Sequence, residues 1–157
     1  MLGVLDELGL DRAVLAGYDV GSRVAQAAAT LRPAAVRALV LSPPLPGVGG
    51  RILGPDAQRE FWCQPGAFRA SIAWYRAGAG AVAHSLRERP PAPDERIPIP
   101  TTVLWGDHEP LFPVAWSDRI GAFFADADVR VLPGVGPFAP LEAPRAAAEA
   151  VIERLRA

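Results

Sequence analysis

A chain of 157 residues, half of them hydrophobic, is long enough for one domain with a real core and too short for two. Sixteen basic residues, every one an arginine, stand against seventeen acidic ones, and a net charge of -1 gives no electrostatic footprint for nucleic acid or an anionic membrane, which need a clustered positive surface, so neither partner is expected. The single cysteine, Cys63, excludes an internal disulfide framework and a cysteine-based metal site.

No apolar run approaches the ~20 residues that span a bilayer, and the start lacks the basic stretch, apolar core and cleavage site of a secretory signal. A cytoplasmic setting is therefore expected. The arginine-only basic set, with many Ala, Pro and Gly, has the look of a GC-rich bacterial genome, an association without chemical content.

Leu2, Leu5 and Leu8 recur at helical spacing, and Gly9 follows as a C′ residue, so the chain opens with an amphipathic helix. Ala13-Val14-Leu15-Ala16 is a wholly apolar run ending at Gly17, the pattern of a strand buried on both faces. Val24, Ala25, Ala28 and Leu31 mark a helix over 22–31 that Pro33 stops, and residues 36–41 form a second apolar strand. Pro43, Pro44, Pro46, Gly47, Gly49 and Gly50 then break regular structure.

Aromatics and helix formers return over 58–86, before a proline-rich linker over 90–100. The strand-helix rhythm resumes with strands at 101–105 and 129–132 and helices at 116–124 and 142–155. Such alternation builds an α/β domain, a parallel sheet of about four strands flanked by helices, interrupted by a helical insertion over about 47–96.

Gly17-Tyr18-Asp19-Val20-Gly21 lies where a nucleophile elbow would, between a buried strand and a helix, with small residues two positions to either side of Asp19. A plain strand-to-helix turn, with the Asp19 carboxylate capping backbone N–H groups, is the competing reading. A dinucleotide-binding turn is disfavoured, because the Gly-x-Gly-x-x-Gly spacing that admits pyrophosphate is absent.

The stretch Leu8-Gly9-Leu10-Asp11-Arg12-Ala13-Val14-Leu15-Ala16-Gly17-Tyr18-Asp19-Val20-Gly21 resembles the elbow region of the epoxide hydrolase and haloalkane dehalogenase branch of the α/β hydrolases. Two later stretches, residues 103–113 and 132–144, match that branch in the same order. The resemblance implies that Asp19 attacks carbon to form an alkyl ester, with the Val20 N–H as an oxyanion donor. It places Glu109 as the acid that orients the catalytic histidine, with Asp107 as second choice and a plain loop carboxylate as the competing reading. Tyr75, in Ser71-Ile72-Ala73-Trp74-Tyr75-Arg76, is similar to the cap tyrosine that donates a proton to an opening oxirane, though Trp-Tyr pairs also serve as packing. A small apolar electrophile, an epoxide or a related compound, is the implied substrate, with no cofactor and no metal.

The sequence departs from that pattern in three places. Where the family has its histidine, the chain reads Gly134-Val135-Gly136-Pro137-Phe138, and Pro137 carries no ionisable group. The two histidines of the chain, His84 and His108, fall elsewhere. The family's N-terminal strands and their His-Gly-x-Pro oxyanion loop have no counterpart, and the insertion is short for a cap, with early and late cap sequence joined near Trp62-Cys63-Gln64-Pro65.

The expectation is a truncated α/β-hydrolase fold with a reduced cap, an epoxide-hydrolase-like function impaired by its degenerate triad, and a first strand whose exposed edge favours a homodimer or an unstable monomer. The alternative is a non-catalytic hydrolase-fold protein that binds a small apolar ligand or a partner chain.

Overall fold

A computed structural model describes residues 1–43 and 88–157. The inserted block, with Cys63, Tyr75 and His84, lies outside the described residues. So does most of the expected cap at 47–96.

Four parallel strands form one sheet in the order β1-β2-β3-β4: β1 Ala13–Gly17, β2 Val36–Leu41, β3 Thr101–Gly106 and β4 Ala127–Leu132. Each neighbour pair is in parallel register, for example Leu15 opposite Leu39, Leu39 opposite Thr101 and Thr101 opposite Ala127. A parallel pair needs a crossover: α2 (Val20–Leu31) and a 3₁₀ turn at Pro33–Ala35 join β1 to β2, and a 3₁₀ segment joins β3 to β4. Helix α1 (Leu2–Glu7) precedes β1, and α2 (Val20–Leu31) follows it. A 3₁₀ segment, Val114–Ala122, follows β3, while α3 (Ala139–Glu142) and α4 (Pro144–Arg156) close the chain.

Side chains alternate across the strands, giving two cores. On one face Leu15, Leu39, Leu41, Val103 and Trp105 meet Ala25, Ala28 and Ala29 of α2 and Ile120, Phe123 and Phe124 beyond β3. On the other, Val40 and Leu104 meet Ala150 of α4, with Val14, Leu132, Ala147 and Val151 partly buried around them. The central strands are hydrophobic on both faces because both are covered: all six residues of β3 are buried. At ~25 cal/mol per Å² of apolar area, each fully buried Leu or Val of β2 and β3 contributes about 1.5–3 kcal/mol.

Helix ends follow local chemistry. Gly9 at φ 64° lies just beyond the Leu8 cap of α1, the left-handed C′ position that glycine occupies without a Cβ penalty. Pro33 ends α2 by forcing Arg32 out of the helical region, at φ -144° and ψ 71°.

Three expectations are corrected. The first strand is not buried on both faces: only Leu15 of β1 is buried, and among the described strands β1 has a neighbour on one side only, β2. The helix expected at 116–124 is a 3₁₀ segment beginning at Val114; Pro113 before it, and Ser117, Asp118 and Gly121 within it, disfavour regular α-helix. The closing helix is two pieces, since Pro144 removes an N–H and drives Ala143 to φ -131° and ψ 60°. Among the described residues, no helix is long and apolar enough to cross a membrane.

Candidate functional site

The C-terminal ends of the strands bring three loops together, the position at which open parallel sheets bind ligands. The first is the turn after β1. Strand β1 ends at Gly17 and α2 starts at Val20, so the chain reverses within Tyr18 and Asp19. Asp19 does so at φ 51° and ψ -129°, and it is the sole non-glycine residue at positive φ among the described residues. Such a conformation costs about 1–3 kcal/mol and persists only where the surroundings impose it. Here the Asp19 N–H donates to Pro43 O at 3.1 Å, the Ser42 N–H donates to Gly17 O at 3.0 Å, and the Ser22 N–H donates to Asp19 O at 3.0 Å.

Gly17 is required by close approach, because a Cβ there would lie 2.5 Å from Gly21 O. Gly21 is different: among the described residues a Cβ on it would meet nothing within 4 Å. The expected demand for a small residue on both sides of Asp19 therefore holds at Gly17 and not at Gly21. The Asp19 side chain is exposed and makes no capping bond to α2, so it does not play the helix-cap part that the sequence also allowed. Val20 is the first residue of α2, and first-turn amides have no acceptor inside their own helix.

The second and third loops, after β3 and β4, are laced together. The Asp107 N–H donates to Leu132 O and the His108 N–H to Val135 O, while the Gly134 N–H donates to the Asp107 carboxylate at 2.7 Å. A Cβ on Gly106 would fall on Val135 O, so the residue before Asp107 must be glycine for the loops to meet. The Asp107 carboxylate is thus committed to Gly134. His108, beside it, points outward with its side chain 73% exposed, its Nε2 3.9 Å from Asp107 Oδ1.

Glu109 is the buried carboxyl of the site, 6% exposed. Its Oε1 accepts the Leu111 N–H at 2.7 Å and the Phe112 N–H at 3.3 Å, so it closes its own turn. Burial pushes its pKa above the usual carboxylate value; the two amides pull it down, and the negative Glu142 pushes it up further.

Glu142 carries a part that sequence reading missed. Its two oxygens accept the Gly136 N–H at 2.7 Å and the Phe138 N–H at 2.9 Å, clasping the residues on either side of Pro137. The readable signal is an acid four residues after Phe138, the N-cap of the proline-started helix α3, able to reach back to that amide. Phe138 in turn meets Tyr18 edge-on, with ring centroids 6.5 Å apart, which ties the Pro137 loop to the elbow. Among the described residues, no group of three or more His, Cys, Asp or Glu is placed to hold a metal ion.

No family model matches the chain, and no curated protein matches it significantly. Solved structures do. An α/β hydrolase from a sediment metagenome of the Mar Chica lagoon, Morocco, aligns over 99% of this chain with a TM-score of 0.64 and 21% identity. The chain has the α/β-hydrolase fold. A bacterial membrane phospholipase A aligns over 99% with a TM-score of 0.68 and 22% identity, and a point mutant of an epoxide hydrolase from Bacillus megaterium over 99% with 0.65 and 15%. The chain spans about two thirds of these three proteins, 66%, 61% and 73% of their lengths. An α/β-hydrolase fold shared by a phospholipase and an epoxide hydrolase does not itself select a reaction.

Proposed function

We propose that Asp19 is a nucleophile of the epoxide-hydrolase type and that this chain stalls after its first chemical step. An Asp19 carboxylate oxygen attacks an oxirane carbon, the C–O bond of the ring breaks, and the resulting alkoxide takes a proton, for which Tyr75 is the proposed donor. The product is an alkyl ester on Asp19. Its hydrolysis needs a base to activate water, and Pro137 supplies none. The observation that carries the reading is the strained Asp19 turn, with φ at 51° and a carboxylate left exposed rather than used to cap α2.

Epoxide hydrolases among the similar structures support this choice, and the Val20 N–H at the start of α2 is the proposed oxyanion donor. Incubating the protein with a reactive terminal epoxide such as styrene oxide, followed by intact-mass measurement and peptide mapping, tests it. One adduct per chain on Asp19, absent in Asp19→Asn, is expected. An unmodified mass removes the proposal.

Pro137 also favours a second reading, a hydrolase-fold protein that binds a small apolar ligand without turnover. Saturable binding of the same epoxide with no mass change supports that reading over the first.

A further inference from the structure

The Asp19 turn is held from three directions, and one of them is a side-chain contact. From the sheet side, the Asp19 N–H donates to Pro43 O at 3.1 Å and the Ser42 N–H to Gly17 O at 3.0 Å; from α2, the Ser22 N–H donates to Asp19 O at 3.0 Å. The third direction is the loop after β4, whose Phe138 ring meets the Tyr18 ring at an interplanar angle of 79°. Tyr18 stands between the end of β1 at Gly17 and Asp19, so whatever fixes its ring also fixes the Cα next to the strained one.

Burial does not account for this pair. Phe138 is 51% exposed and Tyr18 40%, so the two rings withdraw little apolar area from water. What they gain is orientation. An edge-to-face arrangement sets the positive rim of one ring on the negative face of the other and shifts an equilibrium by roughly two- to tenfold. That offsets part of the strain that a positive φ stores at Asp19.

The backbone of Phe138 is anchored at both of its polar atoms. Its N–H donates to Glu142 Oε1 at 2.9 Å, and its carbonyl accepts the Leu141 N–H at 2.7 Å and the Glu142 N–H at 3.0 Å. The same Glu142 carboxylate takes the Gly136 N–H at 2.7 Å, and a Cβ on Gly136 would stand 3.1 Å from both carboxylate oxygens, so a larger residue there would press on the clasp. Between these two fixed amides, Pro137 holds its own φ at about -65°. Further back, the Gly134 N–H is tied to the Asp107 carboxylate at 2.7 Å. A ring on so fixed a support imposes its position on Tyr18, where a ring on a loose loop would follow Tyr18 instead.

We propose that Phe138 is a positioning residue: its ring, carried on the Glu142 clasp, steadies Tyr18 and keeps the Asp19 turn in its strained, reactive form. For reactivity, the inference rests on Asp19 being the nucleophile. A nucleophile misplaced by on the order of 1 Å loses about 100-fold in rate, and a turn that is only loosened loses less. The loop that has no base at Pro137 thereby keeps a mechanical part in the first chemical step.

Two measurements on the whole chain test this, and one of them is independent of the chemistry. Native-state hydrogen exchange of the Asp19 amide reports on the turn itself, because that N–H is bonded to Pro43 O. In Phe138→Ala it should exchange roughly fivefold faster. The Ile97 and Ala125 amides, bonded to Phe123 O and Ile97 O at the opposite end of the sheet, should keep their rates; a general loosening would speed all three. The second measurement is alkylation of Asp19 by styrene oxide, followed by intact mass over a range of epoxide concentrations. Phe138→Ala should lower the maximal rate about tenfold and leave the half-saturating concentration within about twofold, since the ring steadies the nucleophile and does not bind the epoxide. Phe138→Tyr keeps the ring and should match the wild type in both measurements. Leu141→Ala, at a position 71% exposed on α3, should do the same.

An Asp19 amide that exchanges at the wild-type rate in Phe138→Ala overturns the proposal. So does a loss that Phe138→Tyr fails to restore, or one that Leu141→Ala shares. A raised half-saturating concentration at an unchanged maximal rate overturns it too, because Phe138 would then bind the epoxide rather than position Asp19. A wild type that forms no adduct removes the nucleophile reading alone, and the exchange result then decides whether Phe138 holds the turn.

Discussion

Two glycines four residues apart have opposite requirements, although a sequence pattern treats them alike. Gly17 faces the backbone of Gly21, and Gly17→Ala would drive a Cβ into that carbonyl, 2.5 Å away. Nothing there is a flexible side chain that could move aside, so a loss of about 2–4 kcal/mol in urea unfolding is expected. Gly21→Ala adds a methyl that meets none of the described residues within 4 Å and should raise stability by about 0.5–1 kcal/mol through helix propensity. Glu109 gives a second residue-level expectation. Its pKa is raised in the folded chain, so the native state holds the proton more tightly, and Glu109 favours folding below its ordinary value of 4.5. That contribution is lost as pH rises through the folded pKa. Glu109→Gln cannot ionise, so its melting temperature should gain on that of the wild type as pH increases from 4 to 7; a constant difference would remove burial of charge as the cause. Residue identity was legible at Asp19 and Pro137, where the type alone decides what chemistry is available. The non-requirement at Gly21 was not legible, because it depends on the path of the backbone around it.

The loops after β3 and β4 behave as one element held from both ends. At one end the Asp107 carboxylate accepts from Gly134, and at the other Glu142 accepts from Gly136 and Phe138. Two charge-assisted bonds on amides, one belonging to a buried residue, put the cost of Glu142→Ala at about 2–4 kcal/mol. Glu142→Gln retains one acceptor and turns an NH₂ toward the other amide, so it should lose at least half as much. Chemical denaturation of the two variants measures both, and a neutral Glu142→Ala would show that solvent replaces the clasp without loss. Strands were the readiest elements to find in the sequence, because short apolar runs bounded by glycine and proline have few alternatives. The 3₁₀ segment and the break at Ala143 were harder. The break at Ala143 is set by Pro144, whose effect on the preceding residue competes with an otherwise helical pattern, and the 3₁₀ segment by weak helix formers inside it, Ser117, Asp118 and Gly121.

Across the whole molecule, the two faces of the sheet are held very differently. The α2 face has a broad core containing Trp105, Phe123 and Phe124, with the Trp105 indole N–H donating to Phe112 O at 2.6 Å. The α4 face has a small one, in which alanines Ala147 and Ala150 supply much of the helix surface against Val40 and Leu104. Alanine buries little area, so α4 depends also on polar ties: Arg154 Nε donating to Thr102 Oγ1 at 2.9 Å, and the Arg130–Glu153 pair at 2.7 Å. An exposed ion pair contributes about 0–1 kcal/mol, which does not replace the missing apolar contact. Helix α4 should therefore open in a local transition well below the global unfolding free energy. The sequence made the parallel α/β plan legible through its alternating elements, but this asymmetry arises from which residues face which side, a property of register. Native-state hydrogen exchange resolves it. Amides of β2 and β3 should exchange slowest, those of α2 close behind, and those of α4 at least tenfold faster. Raising the salt concentration should speed α4 further by screening the Arg130–Glu153 pair, with little change in α2. Equal protection of α2 and α4 would mean that the alanine face packs as firmly as the aromatic one, and would overturn the ordering.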